Sequence, residues 1–201
     1  MDAFPPETQD RIICSIAAAA KYRVPANIVL AIAEKEGGTP GQWRANRNGT
    51  RDVGSMQFNT AYLADLVRYG ITASDVAKAG CYSFDLATWQ LRQHLYKDKG
   101  DLWTRAANYH SRTPQVNSIY RADLIRKATK WADWLDARFV TVDMSKTSAI
   151  EPSVTNGMVA RPEVELRARK EAISNDTHLQ IVKAEYVPRT LITSRRSPER
   201  R

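Results

Sequence analysis

Residues 24–38 read VPANIVLAIAEKEGG, and no other stretch restricts the fold as strongly. The run is too apolar to rest in water, yet far shorter than the roughly 18 to 20 residues a membrane-spanning helix needs. It predicts a core helix, with Pro25 near the first turn and Gly37-Gly38 ending it. On a wheel advancing about 100° per residue, Ile28, Val29, Ile32 and Ala33 form the apolar face, and Glu36 falls in its middle. Glu34 falls nearly opposite, beside Asn27 and Leu30, and is expected to face solvent. Helix positions i and i+2 do not meet, so the two acids are not a facing pair. Glu36 is the unusual one. Partial burial and the negative end of a helix dipole both raise a carboxyl pKa. A carboxyl kept protonated near neutrality can act as a general acid. The plain alternative is a side chain bent to water at a frayed helix end.

Helical spacing continues on both sides. Residues 8–23 read as one helix, with Ile12, Ile13, Ile16, Ala19 and Ala20 on one stripe. Residues 39–55 are dense in Gly, Asn, Arg and Pro, which predicts a long loop or small hairpin turning at Asn48-Gly49. Further helices are expected from Met56 to Gly70, over a short capped segment at 72–80, from Cys81 to Tyr96, from Asp101 to a break near Pro114, and from Val116 to about Phe139. Composition then shifts. All five Trp precede residue 140, whereas residues 141–201 hold neither Trp nor Phe and a single Tyr, Tyr186. The expected organisation is an all-α domain over residues 1–140 and a basic, largely disordered tail over 141–201, with a short helix conceivable at 161–174.

The net charge of +8 favours anionic partners: nucleic acid, acidic lipid headgroups or an anionic wall polymer. The basic residues are scattered, with no block and no nucleic-acid motif, so nucleic-acid binding is not expected. Three histidines and two cysteines show no metal-ligand spacing, and neither metal nor cofactor is expected. Cys14 and Cys81 suit one disulfide in an oxidising compartment or two buried thiols equally well. The opening MDAFPPETQD is acidic and polar where a secretory signal would be basic and then apolar. Taken literally, the chain stays in the cytoplasm, leaves by another route, or is written without its leader.

Two later segments add polar chemistry. DVGSMQFN, Asp52 to Asn59, sets Gly54, Ser55, Met56, Gln57 and Asn59 around an aromatic at a loop-to-helix junction. Amides pair with sugar hydroxyls and N-acetyl groups, and glycine lets a substrate approach the backbone. AANYHSRTP, Ala106 to Pro114, puts Tyr109 near a helix end, where its hydroxyl can orient a carboxylic acid or a sugar oxygen. Each segment alone also reads as ordinary structure: a helix start, and a core tyrosine.

In this order the segments resemble the soluble, goose-lysozyme-related lytic transglycosylases, and among them the small enzymes attached to conjugation and secretion systems. AIAEKEG matches the family's helix ending AIAxxES, with Glu36 in the catalytic place. GSMQFN matches GLMQ(I/F)N, and Tyr109-His110-Ser111 matches the third, YN or YHS, segment. NRNGTRDVG and Cys81-Tyr82-Ser83 match segments of the secretion-linked members, whose partner cysteine lies in the first helix, where Cys14 stands. The similarity covers about residues 8–138. Gly37 departs from the usual Ser after the catalytic Glu, and Ser55 from the usual Leu.

The resemblance implies a lysozyme-like helical domain with a small hairpin after the catalytic helix. It implies cleavage of the MurNAc–GlcNAc β-1,4 bond of peptidoglycan with a 1,6-anhydro-muramyl product, opening the wall for a conjugation or secretion apparatus. Glu36 would be the catalytic acid and base; Ser55, Met56, Gln57, Asn59 and Tyr109 would bind substrate, with Tyr109 orienting Glu36 or the anomeric region. Cys14 and Cys81 would form a disulfide, and the protein would work as a periplasmic monomer on glycan strands, with secretion-system subunits as further partners. Two rivals stand beside it: a muramidase using Asp52 as second carboxylate, against the plainer role of a turn hydrogen bond, and a non-catalytic wall-binding assembly module.

Overall fold

A computed structural model describes residues 5–143 and 189–194, all within one compact unit. Helix α1 (Pro6–Tyr22) begins with proline in its first turn, and ends at Arg23 in a left-handed conformation. Helix α2 (Ala26–Glu36) follows after Val24 and Pro25. A three-stranded antiparallel sheet comes next, β1 (Trp43–Ala45), β2 (Arg51–Val53) and β3 (Phe58–Asn59), in the order β1-β2-β3. Asn48-Gly49 turns the β1–β2 hairpin, with Gly49 at φ +82°. Helix α3 (Thr60–Leu66), a 3₁₀ turn (Val67–Tyr69) and α4 (Ala73–Ala77) lead to α5 (Tyr82–Lys97), α6 (Leu102–Ala107) and α7 (Pro114–Asp136).

The mainly helical fold with a small hairpin after α2 is as the sequence implies. Two local details differ. Phe58 and Asn59 close the small sheet instead of opening a helix, and Asn59 caps α3 by accepting from Ala61 N at 3.0 Å. The break expected near Pro114 falls at residues 108–113, but α7 starts at Pro114 and not at Val116, because proline at N1 loses only an amide that has no intrahelical partner.

Helix α2 is the centre. Every residue from Ala26 to Ala33 is buried, with α1, α5 and α7 packed around it. Ile28, Leu30 and Ile32 are 0–1% exposed, each contributing about 1.5–3 kcal/mol of burial. Such a helix has no solvent face, and this overturns the expected exposure of Glu34. Its carboxylate accepts from Lys130 Nζ and Trp131 Nε1, both at 2.7 Å, and from Lys127 Nζ at 3.2 Å, all on α7. Burial works against that charge, but the three hydrogen bonds outweigh it and hold the Glu34 pKa below the usual carboxylate value. Two turns earlier on the same side, buried Asn27 donates to the carbonyl of Ala128. Tyr120, Leu124, Ala128, Trp131 and Leu135 form the buried stripe that α7 lays on α2.

Cys14 and Cys81 are joined by a disulfide, Cα to Cα 4.9 Å, tying α1 to the start of α5. Strand β4 (Phe139–Asp143) pairs antiparallel with β5 (Arg189–Ser194), so regular structure continues past residue 140. The rest of the expected tail, including the helix at 161–174, lies outside the described residues.

Candidate active site

Three local devices bring the site together. Glu36 is the last residue of α2, and Gly37 stops the helix at φ +61°, its N–H returning to Ala33 O at 3.2 Å. A serine there would have to adopt a left-handed backbone, which glycine takes without strain. Gly38 then passes directly over the segment Gly54–Gln57. A Cβ on Gly38 would sit 2.2 Å from Gly54 O and 2.5 Å from Gln57 Nε2. Gly38→Ala is therefore expected to destabilise the fold by about 1–3 kcal/mol and to displace Gln57. Thermal melts and a cleavage assay on the same variant check both effects.

Gln57 holds a left-handed backbone at φ +49°, a conformation that costs a non-glycine residue about 1–2 kcal/mol. Its side chain is held by Gly54 O at 2.8 Å and Gln42 Oε1 at 3.3 Å. Strain of this kind persists where the surroundings over-determine it, often at functional sites. The residue borders an open cleft of about 730 Å³, together with Glu36, Asp52, Asn59, Tyr109 and His110. A second hollow of about 340 Å³ shares Glu36, Asp52, Gln57 and His110, so Glu36 lies where the two meet.

Of the residues singled out in the sequence, Glu36, Gln57, Asn59 and Tyr109 share the cleft. Asn59 is also committed elsewhere, its amide donating to Thr50 Oγ1 at 2.9 Å and Asp52 Oδ1 at 3.0 Å. Ser55 and Met56 are 4% and 1% exposed and do not line the cleft. Met56 lies in the interior beside Val29, Ile32 and Leu91, with its backbone carbonyl toward Tyr109. Tyr109 donates to that carbonyl at 3.4 Å and makes no hydrogen bond to Glu36. Asp52 is on strand β2, paired with Asn59 of β3, rather than in a loop.

The group that steadies Glu36 is Tyr120, whose hydroxyl donates to Glu36 Oε1 at 2.7 Å. The His110 ring stacks on the Tyr120 ring, centroids 4.6 Å apart and planes within 7°. Lys35 Nζ lies 4.7 Å from the same ring centroid and is bound to Asp123 at 2.6 Å. Tyr120 therefore supplies the hydroxyl contact that Gly37, with no side chain, cannot make. Sequence reasoning missed it, although one signal was present: a tyrosine in the apolar stripe of the last helix must find its hydroxyl a buried partner.

Burial pushes the Glu36 pKa up to about 7. The Tyr120 hydrogen bond and the Lys35 charge hold it down, and the Asp52 charge adds to the rise. Burial, together with the negative charge of Glu36, keeps the Tyr120 hydroxyl far above its ordinary pKa, so it stays a donor. Glu36 is thus a carboxyl that exchanges its proton near neutrality, half-buried, oriented by one hydrogen bond and open to a cleft. Among the described residues no cluster of His, Cys, Asp or Glu could hold a metal ion. Further along the cleft, α5 contributes Trp89, Gln90 and Gln93, and the buried Gln90 Oε1 accepts no hydrogen bond among the described residues.

The family model for the transglycosylase SLT domain matches residues 13–131. Similar proteins include Invasion protein IagB of Salmonella typhimurium and Invasion protein IagB of Salmonella typhi. Each is 25% identical over 115 residues, which is 57% of this chain and 71% of the relative.

Proposed function

Because the chain belongs to the transglycosylase SLT domain family, we propose that Glu36 drives the cleavage of peptidoglycan glycan strands at the MurNAc–GlcNAc β-1,4 bond. The observation that carries this reading is one half-buried carboxyl, with its pKa raised to about 7 and held by Tyr120 at 2.7 Å, facing an open cleft. Protonated Glu36 donates to the glycosidic oxygen as the bond to the anomeric carbon breaks. The resulting carboxylate then takes the proton of the muramyl C6 hydroxyl while that oxygen bonds to the anomeric carbon, closing a 1,6-anhydro ring. Proton count is restored and no water is consumed. One acid suffices because the substrate supplies the nucleophile, unlike glycosidases that flank the bond with two carboxylates. A pKa near the working pH favours both halves of the cycle.

Gln57 and Tyr109 stand in the cleft to meet sugar and acetamido groups. Tyr120 acts through Glu36. Removing its donor in Tyr120→Phe takes stabilisation from the charged form, so the Glu36 pKa rises further. The expected result is a pH–rate profile displaced upward and a kcat lower by about tenfold, read from initial rates across pH 5 to 9.

A muramidase remains a second reading because Asp52 lines the same cleft and could guide water. Muropeptide analysis decides: anhydro-muramyl ends support the transglycosylase, reducing ends the hydrolase. The substrate lies outside the inner membrane, and the Cys14–Cys81 disulfide suits an oxidising compartment; both support a periplasmic site of action. Service to a conjugation or secretion apparatus is the role we infer, supported by the likeness to a relative named for invasion.

A further inference from the structure

Residues 108–113 join α6 to α7 and carry two groups that reach the surroundings of the acid. Tyr109 donates to Met56 O, and the His110 ring lies on Tyr120, whose hydroxyl holds Glu36. His110, Arg112 and Thr113 keep much of their surface in water, so burial alone does not fix the course of this segment. Its two ends converge instead on one carboxylate. Asp98, the residue that ends α5, accepts from Asn108 Nδ2 at 2.8 Å through Oδ2 and from Arg112 Nη2 at 3.1 Å through Oδ1. Buried His94, one turn earlier, sets its Nδ1 2.8 Å from the same Oδ2. Burial opposes the charge on Asp98, but the bonds from Arg112, His94 and Asn108 outweigh it and hold its pKa down at about 2. The carboxylate thus stays an acceptor at any working pH. From the α7 side, Asn117, 5% exposed, puts its amide 2.8 Å from Asn108 Oδ1 and 3.1 Å from Ser111 O. The loop is closed from α5 and braced from α7, with His110 between the fastened positions.

Resting on the reading of Glu36 as the acid that cuts the glycan, we propose that Asp98 is a positioning residue: by closing the 108–113 loop it seats the His110 ring on Tyr120 and so keeps the Tyr120 hydroxyl on Glu36. His110 serves by its flat face rather than by charge. The covered part of its ring and the nearby Lys35 charge lower its pKa, so near neutrality the imidazole is uncharged.

The test measures kcat, KM and the pH–rate profile on peptidoglycan from pH 5 to 9. Wild type is set beside Asp98→Asn, His110→Ala and His110→Phe, each also made in a Tyr120→Phe background. Asparagine at 98 turns an N–H toward one of the donors that the carboxylate accepts. For Asp98→Asn and His110→Ala the expected result is a kcat lower by about threefold to fivefold with KM nearly unchanged, and a profile displaced upward by about half a pH unit. By charge alone, losing the Asp98 carboxylate would move the profile downward, so an upward displacement reports the Tyr120 contact. The other charges acting on Glu36, those of Lys35, Arg44 and Asp52, remain in every variant. His110→Phe keeps a stacking face and is expected to hold the wild-type profile. Without the Tyr120 hydroxyl none of the three substitutions displaces the profile further, because the contact they act through is gone. A lowered melting temperature with an unmoved profile makes the role structural and overturns the proposal. A raised KM with an unmoved profile overturns it too, as does a displacement that persists in the Tyr120→Phe background. The two His110 variants keep the test open should Asp98→Asn fail to fold. Failure of wild type to release muropeptides overturns the cleavage reading, and this proposal with it.

Discussion

Glu36→Gln is expected to lower peptidoglycan cleavage by at least 10³-fold while leaving the protein folded, since positioned proton transfer is worth about 10²–10⁴ and this residue serves in both halves of the reaction. Glutamine keeps the shape of the side chain and an oxygen for the Tyr120 hydroxyl. It carries no exchangeable proton of the right acidity. Stability gives an independent readout. The folded pKa of Glu36 is about 7, above the ordinary carboxyl value near 4.5, so between those values the folded state binds more protons than the unfolded one. Stability must then fall as pH rises through that window and level off above it. The penalty at pH 8 is of the order of 3 kcal/mol, and the glutamine variant does not carry it. Melts from pH 4 to 8 should show the variant gaining on wild type as pH rises. Undiminished release of muropeptides by Glu36→Gln would refute the mechanism.

Removing the disulfide is the second large effect. The bridge joins residues 67 apart, and on the chain-entropy model a closed loop of that length stabilises by about 4 kcal/mol. Replacing both cysteines by serine is expected to cost about 2–4 kcal/mol and to lower the melting temperature by roughly 5–15 °C. Reductant should do the same to wild type and nothing to the double variant. Cys14 sits in the core on α1 and Cys81 precedes α5, both away from the cleft. The kcat of the folded variant at low temperature should therefore change little, which separates support of the fold from support of the chemistry.

Much of the site was legible because it is built from short segments. Glu36 and Gly37 lie on one helix end, and Gly54 to Asn59 on one turn running into β3, so each group's local setting follows from its own segment. The reading failed where a second helix decides a side chain's surroundings. The wheel put Glu34 in solvent because it assumes one wet face, and α2 has none: α7 covers that side and supplies two lysines and an indole. Tyr109 belongs to the third recognised segment, yet the hydroxyl on Glu36 comes from Tyr120, 84 residues along the chain.

Periodicity, glycine placement and the polar segments by themselves determined a helical fold, a core helix ending in an acid, and a turn of amides to face it. Only the tertiary structure decided which partners that acid has and how far its pKa rises. The division has a physical cause. A helix or turn follows from interactions a few residues apart, whereas burial and pairing depend on the register at which α7 crosses α2 and on where the small sheet sets Arg44 and Asp52. That register belongs to no single segment.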